Sequence, residues 1–352
     1  MRILFQLILR KNTLRQHKRH NFYDKNVRNY CDINHKIDYK SLKVLFFGTD
    51  TFSLSSLVAL HTELEHDRNI KVLDVVTSFR AMSNPIKDYA QKENLKLFDF
   101  KSIKSKESLD YDLGLVVSFG HLIPEQIINE FPLGMLNVHG SLLPKYRGAA
   151  PIIYAIRNGD TKTGITIMRI KPKHFDTGEI LCQKEFAISD TELMPDLHHR
   201  LATEGAKLLI DCINAFPLSL TRAIPQNESE VTYAPKIDEN FTQVRWNTMT
   251  AKDVFNLYRS LYSFKFCSTT WHGLPVKFKE MSYHPLSPCT ENIEPGTVIY
   301  CQKLKCLQVF CANGQAIHVH DLGIGKKSKI SAFDFNNGFL KKRPESERKF
   351  TS

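Results

Sequence analysis

The chain has 352 residues, 42% of them hydrophobic and 24% charged, and a net charge of +11 at neutral pH. That length exceeds one ordinary domain and predicts two. It contains no run of about 18 uncharged apolar residues, which excludes a membrane-spanning helix, and its basic balance points to a polyanionic partner or an organellar protein without choosing between them.

Residues 1–40 stand apart. The opening MRILFQLILRKNTLRQHKRHNFY carries six Lys or Arg and no acid, with a short apolar stretch from Ile3 to Leu9. This cationic, helix-capable composition predicts a mitochondrial import sequence; the competing reading is a basic arm that touches nucleic acid. From Ser41 strands and helices alternate. Leu42–Phe47 reads as a buried strand ending at Gly48, and Thr49 or Asp50 can cap a helix bearing Leu54, Leu57, Val58 and Leu60. Ile70–Thr77 follows as a strand, Pro85–Glu93 as a helix, Tyr111–Phe119 and Met135–Val138 as strands around a short helix opening at Pro124. Ala149–Arg157 reads as helix, Gly164–Ile170 and Glu179–Leu181 as strands, and Pro195–Ala215 as one long amphipathic helix. Apolar strands separated by helices predict an α/β domain, a doubly wound and mostly parallel sheet, over 41–216.

Residues 217–233, polar and with two prolines, read as a linker. Beyond it a helix at Ala251–Tyr262 precedes short strands at Val276–Lys279, Thr297–Tyr300, Leu307–Cys311 and Ala316–Val319. Short strands broken by Gly and Pro predict a small barrel over 234–352, ending in a tail rich in Lys and Arg. The eight cysteines form no CxxC pair, so they read as reduced thiols of an intracellular compartment. The histidines lack partners at metal spacing, and no metal site is expected.

The segment NVHGSLLPKYRGAAP, Asn137 to Pro151, places an amide, an imidazole and two cations directly after an apolar strand. In an open α/β sheet, ligands bind beyond the carboxyl ends of the strands. Gly48, Gly120 and Asn137 each sit at such an end, and FFGTDTF lacks the glycines of a nucleotide-phosphate loop. Asn137 and His139 are two apart, so in extended chain they share a face. Two N–H donors aimed at one point can stabilise a developing oxyanion, each worth roughly 3–4 kcal/mol in the barrier. Each also has a plain structural role open to it, in a turn or as a hydrogen-bonded core histidine. In HFDTGEIL, residues 174–181, Asp176 either bonds its own turn amides or, placed near His139, raises the imidazole's basicity and holds a proton-carrying water. Ser141-Leu142-Leu143-Pro144 is an apolar turn suited to the edge of a flat heteroaromatic ring, or an ordinary strand-to-helix connection. Lys145 and Arg147 could meet a polyanion or face solvent.

Together Asn137-x-His139-x-Ser141-Leu142-Leu143-Pro144 and the downstream Asp176-Thr177-Gly178 resemble the signature of the formyltransferases that use 10-formyltetrahydrofolate. Within that family the wording of His139–Ile152 and Gly159–Met168 is most similar to members acting on methionyl-tRNA. Thr232–Ile237, Gly273–Val276 and Pro295–Thr297 resemble landmarks of their C-terminal domain. The resemblance implies a Rossmann-like catalytic domain followed by an OB-like barrel that grips tRNA. Asn137, His139 and Asp176 are then the catalytic trio. Ser141, Leu142, Leu143, Pro144, Phe119 and Gly120 are implied around the folate, and Gly48, Thr49, Arg80, Lys145 and Arg147 on the tRNA side. Initiator methionyl-tRNA and folate are the expected partners of a monomer in the mitochondrial matrix. A small amine such as glycinamide ribonucleotide or an amino sugar is the alternative acceptor, and an RNA-binding protein on a catalytically retired scaffold the alternative class. The loop Thr77–Pro85 departs from the bacterial members, which carry a long basic, Gly-rich loop there; only Arg80 is cationic here.

Overall fold

The computed structural model describes residues 37–80, 84–103, 108–285 and 293–352. The expected import sequence lies, but for its last four positions, outside the described residues. In chain order the main elements are β1 (Leu42–Gly48), α1 (Thr51–Glu65), β2 (Ile70–Thr77), α2 (Pro85–Lys92), β3 (Leu97–Asp99), β4 (Leu113–Val117), β5 (Met135–His139), α3 (Pro151–Arg157), β6 (Lys162–Arg169), β7 (Ile180–Ala187), α4 (Met194–Asn214), α5 (Ala251–Leu261), β8 (Ser268–Trp271), β9 (Leu274–Ser282), β10 (Val298–Cys301), β11 (Cys306–Phe310), β12 (Ala316–Ile324) and β13 (Lys327–Ser331).

Two compact units emerge. Among the described residues, the first takes in those within 37–139, Ile165–Lys184 and Ala202–Glu228, and the second those within Gly140–Gly164, Glu185–Leu201 and Ser229–Ser352.

The seven-stranded sheet runs β3-β2-β1-β4-β5-β6-β7. β1 through β5 are mutually parallel, whereas β6 is antiparallel to β5. The expected α/β sheet is therefore present, with one reversal. It follows from α3, whose Ile153 packs in the core of the second unit: a helix that does not serve as a crossover on the sheet lets the chain return antiparallel. Strand β3, three residues long and parallel to β2, carried no periodic signal of its own. The strand interior is dry: Val44, Leu45, Phe46 and Phe47 are all fully buried, as a sheet covered on both faces requires. On one side Leu45, Phe47, Val76, Phe100, Val116, Phe119, Ile123 and Met135 form a continuous apolar cluster.

The loops at the carboxyl ends of β1, β2 and β4 are stitched by short polar contacts. Asp50 caps α1 in a reciprocal box with Ser53. The Ser118 hydroxyl donates to Asp50 Oδ2 at 2.5 Å, and the Thr49 hydroxyl to the Ser118 carbonyl at 2.7 Å. Thr77 Oγ1 donates to the Gly48 carbonyl at 2.7 Å and accepts from Asn84, the cap of α2.

In the second unit six antiparallel strands form a sheet ordered β10-β11-β12-β9-β8, with β13 added to β12. The last residues of the chain bridge its two edges. Thr351 exchanges backbone bonds with Thr270 of β8, while Val298 of β10 donates to the Arg348 carbonyl at 2.7 Å and Phe350 donates to Gly296. Phe350 is 1% exposed and stacks on Trp246 at a centroid distance of 6.1 Å. The curled sheet closes around the expected barrel core through this segment. Residues 217–233 hold a helical turn at Leu218–Thr221, a bridge from Ile224 to Ile180, and a bridge from Tyr233 to Arg147.

Candidate active site

Strand β5 alternates by design of its residues. Val138 faces α4, where Gly205 lets its Cγ1 approach closely, so Asn137 and His139 point together to the opposite face. That is the face of Met135 and its apolar cluster. The turn after β6 brings Asp176 to them. Asn137 Nδ2 lies 3.4 Å from Asp176 Oδ1, and His139 Nδ1 lies 3.7 Å from the same oxygen. The histidine side chain is 6% exposed and the carboxylate 12%, so both interact through a medium poorer in water than the surface.

Backbone constraints hold Asp176 there. Its φ is +56°, a conformation that an Asp tolerates better than most residues. Two residues on, a Cβ at Gly178 would stand 1.6 Å from the Arg169 carbonyl, which explains the glycine of the Asp-Thr-Gly wording. The carboxamide of Gln226 donates to the carbonyls of Asp176 and Gly178, each at 2.9 Å, clamping both ends of the turn. Gln226 sits in the segment read as a linker, and its sequence context offered no signal for this role.

The other expected residues take varied positions. Phe119 is 3% exposed and packs edge-on against Phe47 and Phe100, and the exposed Gly120 has a φ of +72°. Gly48 is tightly packed, since a Cβ there would meet Phe46 and Ser53 at 2.7 and 2.8 Å; with Thr49 it serves the stitched loops. Arg80 is exposed.

Ser141 through Arg147 belong to the second unit. Ser141 is fully buried and its hydroxyl donates to the Lys145 carbonyl at 2.6 Å, closing the turn it begins. Leu143 and Pro144 are buried around a cis peptide bond, Leu142 is half-buried and Lys145 is exposed. Arg147 departs from the expected display of a cation: it is 5% exposed, with its backbone paired to Thr232 and Ala234. Gly148 is needed beside it because a Cβ there would stand 2.5 Å from the Ala234 carbonyl. Tyr146 donates to Asp160 at 2.8 Å and accepts from Asn158. Burial first, and the Asp160 contact after it, push its phenol up to about 12, so it stays a neutral donor. Among the described residues no group of three or more His, Cys, Asp or Glu could hold a metal ion.

The family model described as "Formyl transferase" matches residues 42–213, and that described as "Formyl transferase, C-terminal domain" matches residues 236–340. The chain belongs to the formyl transferase family. The mitochondrial methionyl-tRNA formyltransferase of Homo sapiens is 36% identical over 308 residues, 85% of this chain and 78% of that protein. The methionyl-tRNA formyltransferase of Fusobacterium nucleatum is 31% identical over 309 residues, 85% of this chain and 98% of its own. Among solved structures, WlaRD, a sugar 3N-formyl transferase in the presence of dTDP and 5-N-formyl-THF, superposes with a TM-score of 0.58 at 19% identity, covering 79% of this chain and 97% of its own. HypX from Aquifex aeolicus in complex with tetrahydrofolic acid gives 0.54 at 16% identity, over 85% of this chain and 48% of that one. At these identities the structural likeness establishes the fold.

Proposed function

We propose that this chain transfers a formyl group from 10-formyltetrahydrofolate to the α-amine of methionyl-tRNA, giving formylmethionyl-tRNA for initiation of mitochondrial translation. The observation that carries the reading is the 36% identity, over 308 residues, to the human mitochondrial enzyme of that name; the meeting of Asn137, His139 and Asp176 supports its chemistry. The organelle rests on the same relatives together with the basic composition of residues 1–40.

The amine nitrogen attacks the formyl carbon, forming a C–N bond and placing negative charge on the formyl oxygen. Asn137 Nδ2–H and a ring N–H of His139 are the donors for that oxygen, set on one face of β5 before the reaction begins. Collapse breaks the bond to N10 of the folate. The attacking amine gives up one proton and N10 gains one, so the reaction needs a carrier and no net acid. Asp176, sharing one oxygen with both donors, is the carrier, acting with a water. Its contact with His139 also fixes which ring nitrogen faces the formyl group. The Phe119–Gly120 segment is proposed beside the pterin, and Lys145, in the second unit, on the tRNA. Sugar formyl transferases share the fold, but the relatives of 30% identity or more named above are methionyl-tRNA enzymes, which disfavours a small-amine acceptor.

The test is to incubate the purified full-length chain with 10-formyltetrahydrofolate and methionyl-tRNA and follow formylmethionine. Formylation of a small amine with methionyl-tRNA left unmodified would reverse the choice of acceptor.

A further inference from the structure

The segment following α5 carries three exposed aromatic rings within five residues: Tyr262 is 37% exposed, Phe264 54% and Phe266 41%. Strand β9 alternates Val276 and Phe278, both fully buried, with Lys277 and Lys279 facing outward. The Lys279 ammonium sits 3.3 Å above the Phe266 ring centroid, a close cation–π contact. Tyr258, Tyr262, Phe266 and Phe278, with Lys265 and Lys279, line a cavity of about 220 Å³ at this place.

The charges here favour an incoming anion. Burial first, then the nearby Lys277 and Lys329, hold Lys279 below the usual lysine range. Among the described residues, Lys329 engages Asp321 at 2.9 Å and also feels the charge of Glu280.

We propose that this patch is a stacking platform for an unpaired nucleotide of the tRNA substrate. Tyr262, Phe264 and Phe266 take base faces, while Lys265, Lys277 and Lys279 take the flanking phosphates. The proposal rests on the methionyl-tRNA reading and names a surface for it. Alternation of ring and cation matches the alternation of base and phosphate along a single strand. A paired stem would meet the lysines but leave the rings idle, because its bases are stacked internally. An apolar peptide segment would cover the rings but leave the ammonium groups unneutralised.

The test uses the full chain, a deacylated tRNA, and an RNA duplex without unpaired nucleotides, with binding followed across a salt series. Phe264→Ser with Phe266→Ser should weaken tRNA binding about tenfold at an unchanged salt slope, and leave duplex binding alone. Lys277→Glu with Lys279→Glu should weaken both and lower the logarithmic salt slope by roughly 1.4, about 0.7 for each lost single-strand phosphate contact. Both pairs replace outward side chains, and thermal unfolding checks that the fold is intact. In Phe266→Trp the ring is kept as a reporter, since Trp246 and Trp271 are each 2% exposed; added tRNA should quench it. Wild-type affinity in both double variants, or an unquenched reporter in a chain that binds tRNA, would remove the platform. Formylation assays separate this from the underlying reading. If the wild type formylates methionyl-tRNA and the double variants keep its KM, only the platform falls. If it binds tRNA through these residues without formylating methionyl-tRNA, only the reading falls.

Discussion

The side-chain amide of Gln226 holds the backbone carbonyl of Asp176 at 2.9 Å across 50 residues of sequence. It holds Gly178 at the same distance, so one carboxamide spans the turn that presents the carboxylate. Gln226 is a positioning residue for Asp176. Gln226→Ala should lower kcat about ten- to a hundredfold by letting that carboxylate drift, the scale of an ångström-sized misplacement, with KM for tRNA little changed. Steady-state kinetics check it; an unchanged kcat would make the clamp merely structural.

Asp176 lies close to both Asn137 and His139. Asp176→Asn keeps the shape of the group and removes its basicity. Turnover should fall by at least about a hundredfold, the scale of losing acid–base help, while tRNA affinity stays near that of the parent. Single-turnover formylation beside a filter-binding measurement distinguishes the two effects.

Phe350, third from the end of the sequence, is a core residue that packs on Trp246, Phe278 and Trp271. Phe350→Ala should destabilise the barrel unit by about 3–5 kcal/mol, from lost burial and the cavity left behind. Urea unfolding followed through Trp246 and Trp271 emission would report it; a loss within 0.5 kcal/mol would show that the final strand-like segment is dispensable.

Glu204 accepts from Lys184 and Lys207, each at 2.7 Å. These bonds hold its carboxyl at about 2, below the ordinary glutamate value of 4.5. A carboxyl depressed on folding stabilises the protein above its unfolded value and loses that contribution as pH falls toward its folded one. Glu204→Gln should therefore be less stable at pH 7, by under about 1 kcal/mol for ion pairs near solvent. The gap should narrow as pH falls below about 4.5. A gap that holds constant from pH 7 to pH 3.5 would show that the pairs contribute nothing.

Much of the architecture was legible from periodicity. The strand read at Ile70–Thr77 forms over that same span, and the helix read at Pro195–Ala215 forms as Met194–Asn214. Both are long enough for their apolar pattern to exceed noise. β8 and β13 leave little trace in the sequence, because four or five residues, mostly polar on one side, hold too little pattern. Arg147 is a different case. Its charge suggests display toward solvent or an anion, yet it is 5% exposed, and its backbone pairs with Thr232 and Ala234, more than eighty residues later.

The sequence by itself determined that Asn137 and His139 share a face, since alternation along a strand is local geometry. It also determined the family, because the motif words are written contiguously. Only the tertiary structure decided how Asp176 reaches that face, through a positive-φ turn braced by Gln226 and by the absence of a Cβ at Gly178. Only it decided, too, that the last residues close the barrel. Both rest on backbone hydrogen bonds and contacts between segments far apart in the chain, and any residue type can supply a carbonyl, so the partners leave no mark in composition or spacing.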